Sequence, residues 1–153
     1  MFKVGIISDT HSLLRPQAIE VLSRTDFIIH AGDIGSIDVI HQLREIAPVT
    51  AIRGNIDKGQ WASEFSDDEV LEIDGRQIYI IHNLFDLDLD PVVAGFDVVV
   101  SGHSHKPSIE RLNGVLYVNP GSAGPRRFSL PIAVAQLELK PETIDVRVVE
   151  LAA

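Results

Sequence analysis

The sequence contains no cysteine, and its 13 lysine and arginine residues are outnumbered by 22 aspartate and glutamate residues. Without cysteine the chain forms no disulfide and offers no thiolate to a metal. A formal charge of -9 excludes the broad basic surface that binds duplex nucleic acid, so we expect no extended nucleic-acid partner. A small anionic substrate is not excluded, because bound metal ions invert the local field.

Long apolar segments are also absent. No apolar run approaches the roughly 20 residues of a membrane span. Asp9 follows the N-terminus too closely for the apolar region of a signal peptide. Lack of cysteine is typical of reducing compartments. We therefore expect a soluble protein of the cytoplasm without a membrane partner.

The apolar content, 45% of 153 residues, is enough for one domain, which we place at 1–153. Its beginning has the order β-α-β-α-β. Apolar segments at Phe2–Ser8, Asp26–His30 and Val49–Arg53 alternate with helical patterns at Pro16–Arg24 and Ser36–Ile46, where Ser36 is the expected N-cap. This order predicts parallel strands joined by right-handed crossovers.

The remainder predicts mostly antiparallel pairs. Asp74-Gly75 and Asn113-Gly114 are hairpin turns. The predicted elements are strands at Val70–Ile73, Gln77–His82, Asp97–Ser101, Ser108–Leu112, Val115–Val118, Ile132–Leu139 and Thr143–Leu151, and a short helix at Asp90–Ala94. We predict an α/β fold, a four-layer α-β-β-α sandwich of two mixed sheets flanked by helices.

Metal-binding side chains follow five of the apolar runs. They are Asp9 and His11, then Asp33, Asn55 and His82, then His103 and His105. Three of them are reached through a glycine, which permits a tight exit from a strand and close backbone approach to a ligand. Because parallel sheets present binding groups at the carboxyl ends of their strands, we expect the seven to meet.

The ordered set resembles the signature of calcineurin-like metallophosphoesterases, and most of all their small prokaryotic phosphodiesterase branch, which lacks a lid domain. The matching segments are Asp9-x-His11, Gly32-Asp33, Gly54-Asn55-x-Asp57, His82 and Gly102-His103-Ser104-His105. The resemblance runs from Val4 to about Gly124 and includes Asn119-Pro120-Gly121-Ser122.

The resemblance implies two divalent metal ions as cofactors. Asp9, His11 and His105 would hold one ion, and Asn55, His82 and His103 the other, with Asp33 bridging both. This donor set suits Mn²⁺, which we expect, and also Fe, Zn²⁺, Ni²⁺ or Co²⁺.

The implied activity is hydrolysis of small phosphate diesters by a metal-bridging hydroxide. Asp33, Asn55 and Asp57 are the residues expected to take part in catalysis. Two aspartates and one hydroxide leave a net positive charge on two divalent ions, which favours a phosphate ester as substrate. Arg126 and Arg127 follow the Asn119–Ser122 turn and are candidates for binding its phosphate.

Two positions depart from the family pattern. Ile56 stands where larger members usually have a histidine that helps to protonate the leaving group. We therefore expect a preference for leaving groups that need little acid assistance. Asn83 stands where glycine commonly follows the metal histidine, and asparagine tolerates a positive φ better than most residues.

Alternatives remain at this stage. The chain is either an enzyme or a protein-interaction scaffold on the same fold, as in the retromer scaffold, and a phosphomonoesterase is a third reading. An exposed antiparallel edge offers an interface for a homodimer. His30 is either a group that orients a ligand or, as we favour, a hydrogen-bonded structural histidine.

Overall fold

The computed structural model describes residues 1–152, which contain ten strands and three α-helices. The strands are β1 (Phe2–Ile7), β2 (Phe27–His30), β3 (Val49–Ala51), β4 (Asp68–Ile73), β5 (Arg76–Ile81), β6 (Val98–Val100), β7 (Ser108–Leu112), β8 (Val115–Asn119), β9 (Ala133–Leu139) and β10 (Ile144–Glu150). The helices are α1 (Pro16–Leu22), α2 (Ile37–Arg44) and α3 (Pro91–Ala94), with 3₁₀ turns at Gln60–Glu64 and Leu84–Asp86.

The strands form two five-stranded sheets with the orders β10-β9-β1-β2-β3 and β4-β5-β6-β8-β7. Strands β1, β2 and β3 are mutually parallel, as are β5, β6 and β8, while β4, β7, β9 and β10 pair antiparallel. The predicted fold, two mixed sheets with helices outside, is confirmed.

The main core lies between the sheets. It contains Ile6 and Ile29 from one sheet and Ile78, Ile80 and Val100 from the other, all fully buried. These side chains alternate with others that face outwards, because successive residues of a strand point to opposite faces. Burial of each large aliphatic side chain contributes about 1.5–3 kcal/mol.

A second core covers the outer face of the first sheet, where Leu22 of α1 and Ile40 and Leu43 of α2 pack against Ile7 and Ile28. The outer layer of the other sheet is thinner: residues 84–96, which include α3, supply Leu87 and Phe96 against Tyr79. The rings of Tyr79 and Phe96 stack with centroids 4.9 Å apart. No helix in residues 1–152 has the length and apolar character needed to cross a membrane.

Several predicted boundaries differ from the structure. Strand β3 ends at Ala51 rather than Arg53, because the chain already turns towards the loop that carries Asn55. Strand β4 begins at Asp68, two residues earlier than expected, since Asp68 pairs with Ile81 in the hairpin. Ser36 has the extended backbone of an N-cap, with φ of -152°, but its side chain makes no capping hydrogen bond.

Candidate metal centre

The parallel register brings the carboxyl ends of six strands to one edge of the molecule. Ile7 pairs with His30, and His30 with Ala51, so the loops after β1, β2 and β3 start side by side. In the other sheet Ile80 pairs with Val100, which aligns the segments that carry His82 and His103. Backbone hydrogen bonds join these loops, among them Asp9 N–H to Gly32 O at 2.9 Å.

Two buried carboxylates lie at the centre of this edge and face three imidazoles. Asp33 Oδ2 lies 3.3 Å from His82 Nε2 and 3.6 Å from His11 Nε2. Asp9 Oδ1 lies 3.4 Å from His105 Nε2, 3.9 Å from His82 Nε2 and 4.0 Å from His11 Nε2. Such crowding of donors without close hydrogen bonds is the geometry of a metal-binding site.

The metal-binding side chains fall into two groups. Within each group, the ligand atoms all lie within 4.8 Å of one another. One contains Asp9, His11 and His105, and the other contains Asp33, His82 and His103. The structure therefore brings together six of the seven side chains expected to bind metal. Asn55 is exposed and lines the same cavity as His82, at the end of the loop that contacts Asp33.

Unpartnered polar atoms show that cations fit this centre. In residues 1–152, Asp9 Oδ1, His11 Nε2, His82 Nε2 and His105 Nδ1 are buried and have no hydrogen-bond partner. A buried polar atom without a partner costs about 1–3 kcal/mol. Carboxylate oxygens and imidazole nitrogens are the donors that first-row divalent ions accept, so the residues fit ions of this kind.

The charges within the centre also favour a cation. Burial raises the pKa of Asp33, but its interaction with the nearby His82 ring and its hydrogen bond from the N–H of Ile56 outweigh burial and leave the pKa below its usual value. Burial lowers the pKa of His82, and the oxygens of Asp33 and Ala31 outweigh that effect and raise it. Both shifts favour positive charge between the two side chains.

Neighbouring groups orient the metal-binding atoms. His82 Nδ1 lies 2.7 Å from Ala31 O and donates its proton there, which directs Nε2 towards the carboxylates. Asp9 Oδ2 accepts hydrogen bonds from Ser8 Oγ at 2.7 Å and from His103 N at 3.1 Å. Only Oδ1 of Asp9 is then left to face the imidazoles.

The backbone of the centre is strained. Five of the expected ligands have a positive φ: Asp9 at 55°, His11 at 47°, Asp33 at 57°, His103 at 70° and His105 at 63°. A residue other than glycine in this region costs on the order of 1–3 kcal/mol and persists only where its surroundings enforce it.

Glycines supply the close approach expected from the sequence. A Cβ on Gly54 would collide with the backbone N and Oδ1 of Asp33, and one on Gly102 would collide with the hydroxyl of Ser8. Asn83, in contrast, does not use its tolerance of positive φ, because its φ is -112°.

Asp57 ties together the loops that follow β2 and β3. Its Oδ2 accepts hydrogen bonds from Ile34 N at 3.0 Å and Gly54 N at 2.9 Å, and its Oδ1 accepts one from Gly35 N at 2.9 Å. These contacts account for Asp57 as a positioning residue, and the direct catalytic role expected from the resemblance finds no support in them.

His30 is a fully hydrogen-bonded structural residue. Its Nδ1 accepts a hydrogen bond from Gly32 N at 3.1 Å, and its Nε2 lies 3.0 Å from Thr10 Oγ1, which itself donates to Ile34 O. This chain of contacts requires a neutral ring with the proton on Nε2. It joins the loop after β1 to the loop after β2.

Arg126 and Arg127, the two candidates for binding the substrate phosphate, follow a segment that lies against the metal centre. Arg126 and Arg127 are exposed, and Arg126 Nη1 donates to Leu130 O at 3.2 Å within its own loop. Neither residue lines the cavities beside His82 and His103. The preceding turn does fold against the centre, but through its own atoms: Ser122 Oγ donates to Asp9 O at 3.0 Å.

Sequence reasoning missed the supporting role of Ser8, Thr10 and Asn119. Asn119 Nδ2 donates to Gly102 O at 2.9 Å and lies 3.1 Å from Ser104 Oγ, which fixes the loop between His103 and His105. Ser8 and Thr10 carried one signal, since polar residues that flank Asp9 at the end of a buried strand need partners.

The chain belongs to the calcineurin-like phosphoesterase superfamily, whose domain model matches residues 2–142. A relative named as a probable metallophosphoesterase, from Methanothermobacter thermautotrophicus, is 31% identical over 162 aligned positions. The alignment covers 98% of this chain and 93% of that protein.

Two solved structures resemble the whole chain. One is described as a novel archaeal phosphodiesterase, with a TM-score of 0.80, 28% identity and coverage of 97% of this chain and 100% of that chain. The other is Vps29 from Chaetomium thermophilum, with a TM-score of 0.78, 17% identity and coverage of 98% and 96%. At 17% identity the second likeness concerns the fold alone.

Replacement of Asp57 by asparagine will destabilise the fold. Asparagine has one acceptor oxygen where aspartate has two. Its NH₂ group would therefore face a backbone N–H, and because both groups are donors that hydrogen bond is lost. We expect the free energy of unfolding in urea to fall by about 1–3 kcal/mol. The control is Asp67→Asn, because Asp67 has an 84% exposed side chain and should change stability by less than about 0.5 kcal/mol. Equal effects of the two substitutions would contradict the positioning role.

The free energy of unfolding will decrease as the pH is lowered, because of His30. Burial lowers the pKa of His30 from 6.5 to about 4. Between these two pH values the unfolded chain therefore binds a proton at His30 that the folded chain does not bind. This contribution is complete above pH 6.5 and is lost as the pH falls towards 4, amounting to about 3 kcal/mol. Urea unfolding of the metal-free protein will show a shallower pH dependence in His30→Gln. A substitution of the exposed His41, His41→Gln, will keep the wild-type dependence, and identical slopes in both variants would refute this assignment.

Proposed function

We propose that the chain is a dinuclear metal-dependent phosphodiesterase that hydrolyses small phosphate diesters in the cytoplasm. The observation that carries the proposal is the pair of adjacent donor groups at the carboxyl ends of the strands, together with buried unpartnered atoms on Asp9, His11, His82 and His105. Membership of the phosphoesterase superfamily and the likeness to an archaeal phosphodiesterase support it.

In this proposal Asp9, His11 and His105 would hold one ion. Asn55, His82 and His103 would hold the other, and Asp33 would contribute to both. The position of Asp33 supports bridging, since its Oδ2 is near the imidazoles of both groups, at 3.3 Å from His82 and 3.6 Å from His11. Mn²⁺ is the ion that we expect. When bound, two divalent ions supply electrostatic stabilisation of phosphate oxygens and lower the pKa of a water molecule.

The protein's own residues supply orientation. Asp57 and His30 fix the loops of Asp9, Asp33 and Asn55, so that the ligands are held before substrate arrives. Such preorganised electrostatics are the usual source of catalysis in phosphoryl transfer. At the leaving-group position Ile56 has no titratable group, and its backbone N–H donates to Asp33 Oδ1 at 3.1 Å.

The scaffold alternative rests on the likeness to Vps29, which concerns the fold alone. Six ligand-type side chains brought together with unpartnered atoms favour the enzyme, because an interaction surface does not require that cost. A phosphomonoesterase would use the same centre, and relative rates on monoesters and diesters separate the two activities.

Hydrolysis of bis(p-nitrophenyl) phosphate will depend on added Mn²⁺ and disappear after chelation. Asp33→Asn removes the charge that bridges the ions, so we expect its kcat/KM to fall by about a thousandfold. The control is Asp38→Asn on the exposed surface of α2, which should retain wild-type activity. Wild-type protein that binds two metal ions but hydrolyses neither diesters nor monoesters would contradict the proposal and favour the scaffold.

The rate will depend steeply on the leaving group. Without an acid at position 56, aryl esters should react faster than alkyl esters. Within aryl methyl phosphates the rate should fall as the leaving-group pKa rises from about 7 to about 10. In Ile56→His the dependence will flatten, with at least about a tenfold gain on the poorest leaving group. The control is Ile56→Ala, which opens the same exposed position without an acid. A wild-type enzyme equally active on aryl and alkyl esters would disprove this expectation.

A further inference from the structure

A mainly apolar cavity of about 340 Å³ lies directly beside the metal centre. Of the expected metal-binding residues, His103 alone lines it. Its apolar lining comes from Leu84, Phe85, Pro107, Tyr117 and Val118. Cavities of this size hold small organic groups. Because His103 lines the cavity and also belongs to the donor group of Asp33, a molecule at the metal centre reaches the cavity without leaving the site.

Asn83, one of the two residues that depart from the family pattern, lies at the rim of this cavity. Asn83 Oδ1 accepts a hydrogen bond from Phe85 N at 3.1 Å and so caps the 3₁₀ turn Leu84–Asp86. The turn leaves Phe85 97% exposed and Leu84 39% exposed at the cavity. An uncovered phenyl ring at the rim of an apolar cavity is a ready surface for a planar group.

The opposite side of Asn83 has different chemistry. A second cavity of about 430 Å³ extends from Asn83 and His82 to four aspartates, Asp67, Asp68, Asp86 and Asp88. Arg53 is the basic residue of its lining, and its guanidinium pairs with Asp67 at 3.0 Å. The aspartates of this second cavity disfavour an anionic part of the substrate there. The metal centre therefore has an apolar cavity on one side and an acidic cavity on the other.

We infer that the cavity at Phe85 receives one alcohol arm of the substrate, a group with a planar apolar face, while the phosphate lies at the metal centre. This inference rests on the proposed phosphodiesterase function and narrows its substrate class to esters with an aryl-type arm. Phe85 covers one face of that arm, and Asn83 positions Phe85.

Binding of two phosphonates to the metal-loaded full chain tests the inference independently of turnover. Phenylphosphonate and methylphosphonate share the metal-binding head and differ in the arm. Calorimetry should show phenylphosphonate binding about tenfold more tightly. In Phe85→Ala this preference should fall about fivefold, and in Phe85→Trp it should be retained.

Phe128→Ala is the matched control, because Phe128 is 94% exposed and does not line the cavity. It should keep the wild-type preference for phenylphosphonate. Equal binding of the two phosphonates by the wild type, or an identical preference in Phe85→Ala and Phe128→Ala, would overturn the inference.

The two proposals fail in different ways. A Phe85-dependent phenyl preference in a protein that hydrolyses no phosphate ester would refute the proposed activity, and with it the substrate arm, and would leave only a phenyl-binding cavity beside the metal centre. Hydrolysis of bis(p-nitrophenyl) phosphate without any phenyl preference would leave the activity and remove the cavity assignment.

Discussion

Asp9 and Asp33 crowd against three imidazoles, and the loops of both sheets are arranged around this contact. Closest approaches of 3.3–4.0 Å bring together donor atoms that do not satisfy one another. Left-handed backbone at five ligands adds to the cost. Cations bound between these side chains would offset these terms by acting as partners for the carboxylate oxygens and imidazole nitrogens. The folded chain has therefore already brought the ligand atoms together, at a cost in free energy, before an ion binds.

Two kinds of interaction hold this arrangement in place, the apolar core between the sheets and the hydrogen bonds between the loops. The apolar core between them sets the strand register and thereby the positions at which the loops start. From there onwards, buried side-chain to backbone hydrogen bonds take over, with Asp57 and His30 joining the loops of the first sheet and Asn119 fixing the loop of the second. Hydrophobic burial gives the fold its stability, whereas these directional bonds give the centre its geometry.

Much of this could be predicted from the sequence because the strand pattern and its polar ends are local signals. The β-α-β-α-β start and the two Asx-Gly hairpins led to the correct sheets, and the glycine steps at Gly54 and Gly102 pointed to real close approaches. The role of Asp57 was not predictable, since two of its three partners, Ile34 and Gly35, become its neighbours only when two loops pack together. For Arg126 the sequence offered only its nearness to the Ser122 turn, and the contact of its guanidinium with Leu130 O could not be read from the sequence.

The central claim is that two divalent ions bind between the donors of Asp9 and those of Asp33. The most direct measurement is a crystal structure grown with Mn²⁺, with anomalous scattering recorded at the manganese edge. The account predicts two peaks about 3.5–4 Å apart, with Asp33 contacting both. A single peak, or ions bound only outside this cluster of side chains, would contradict it.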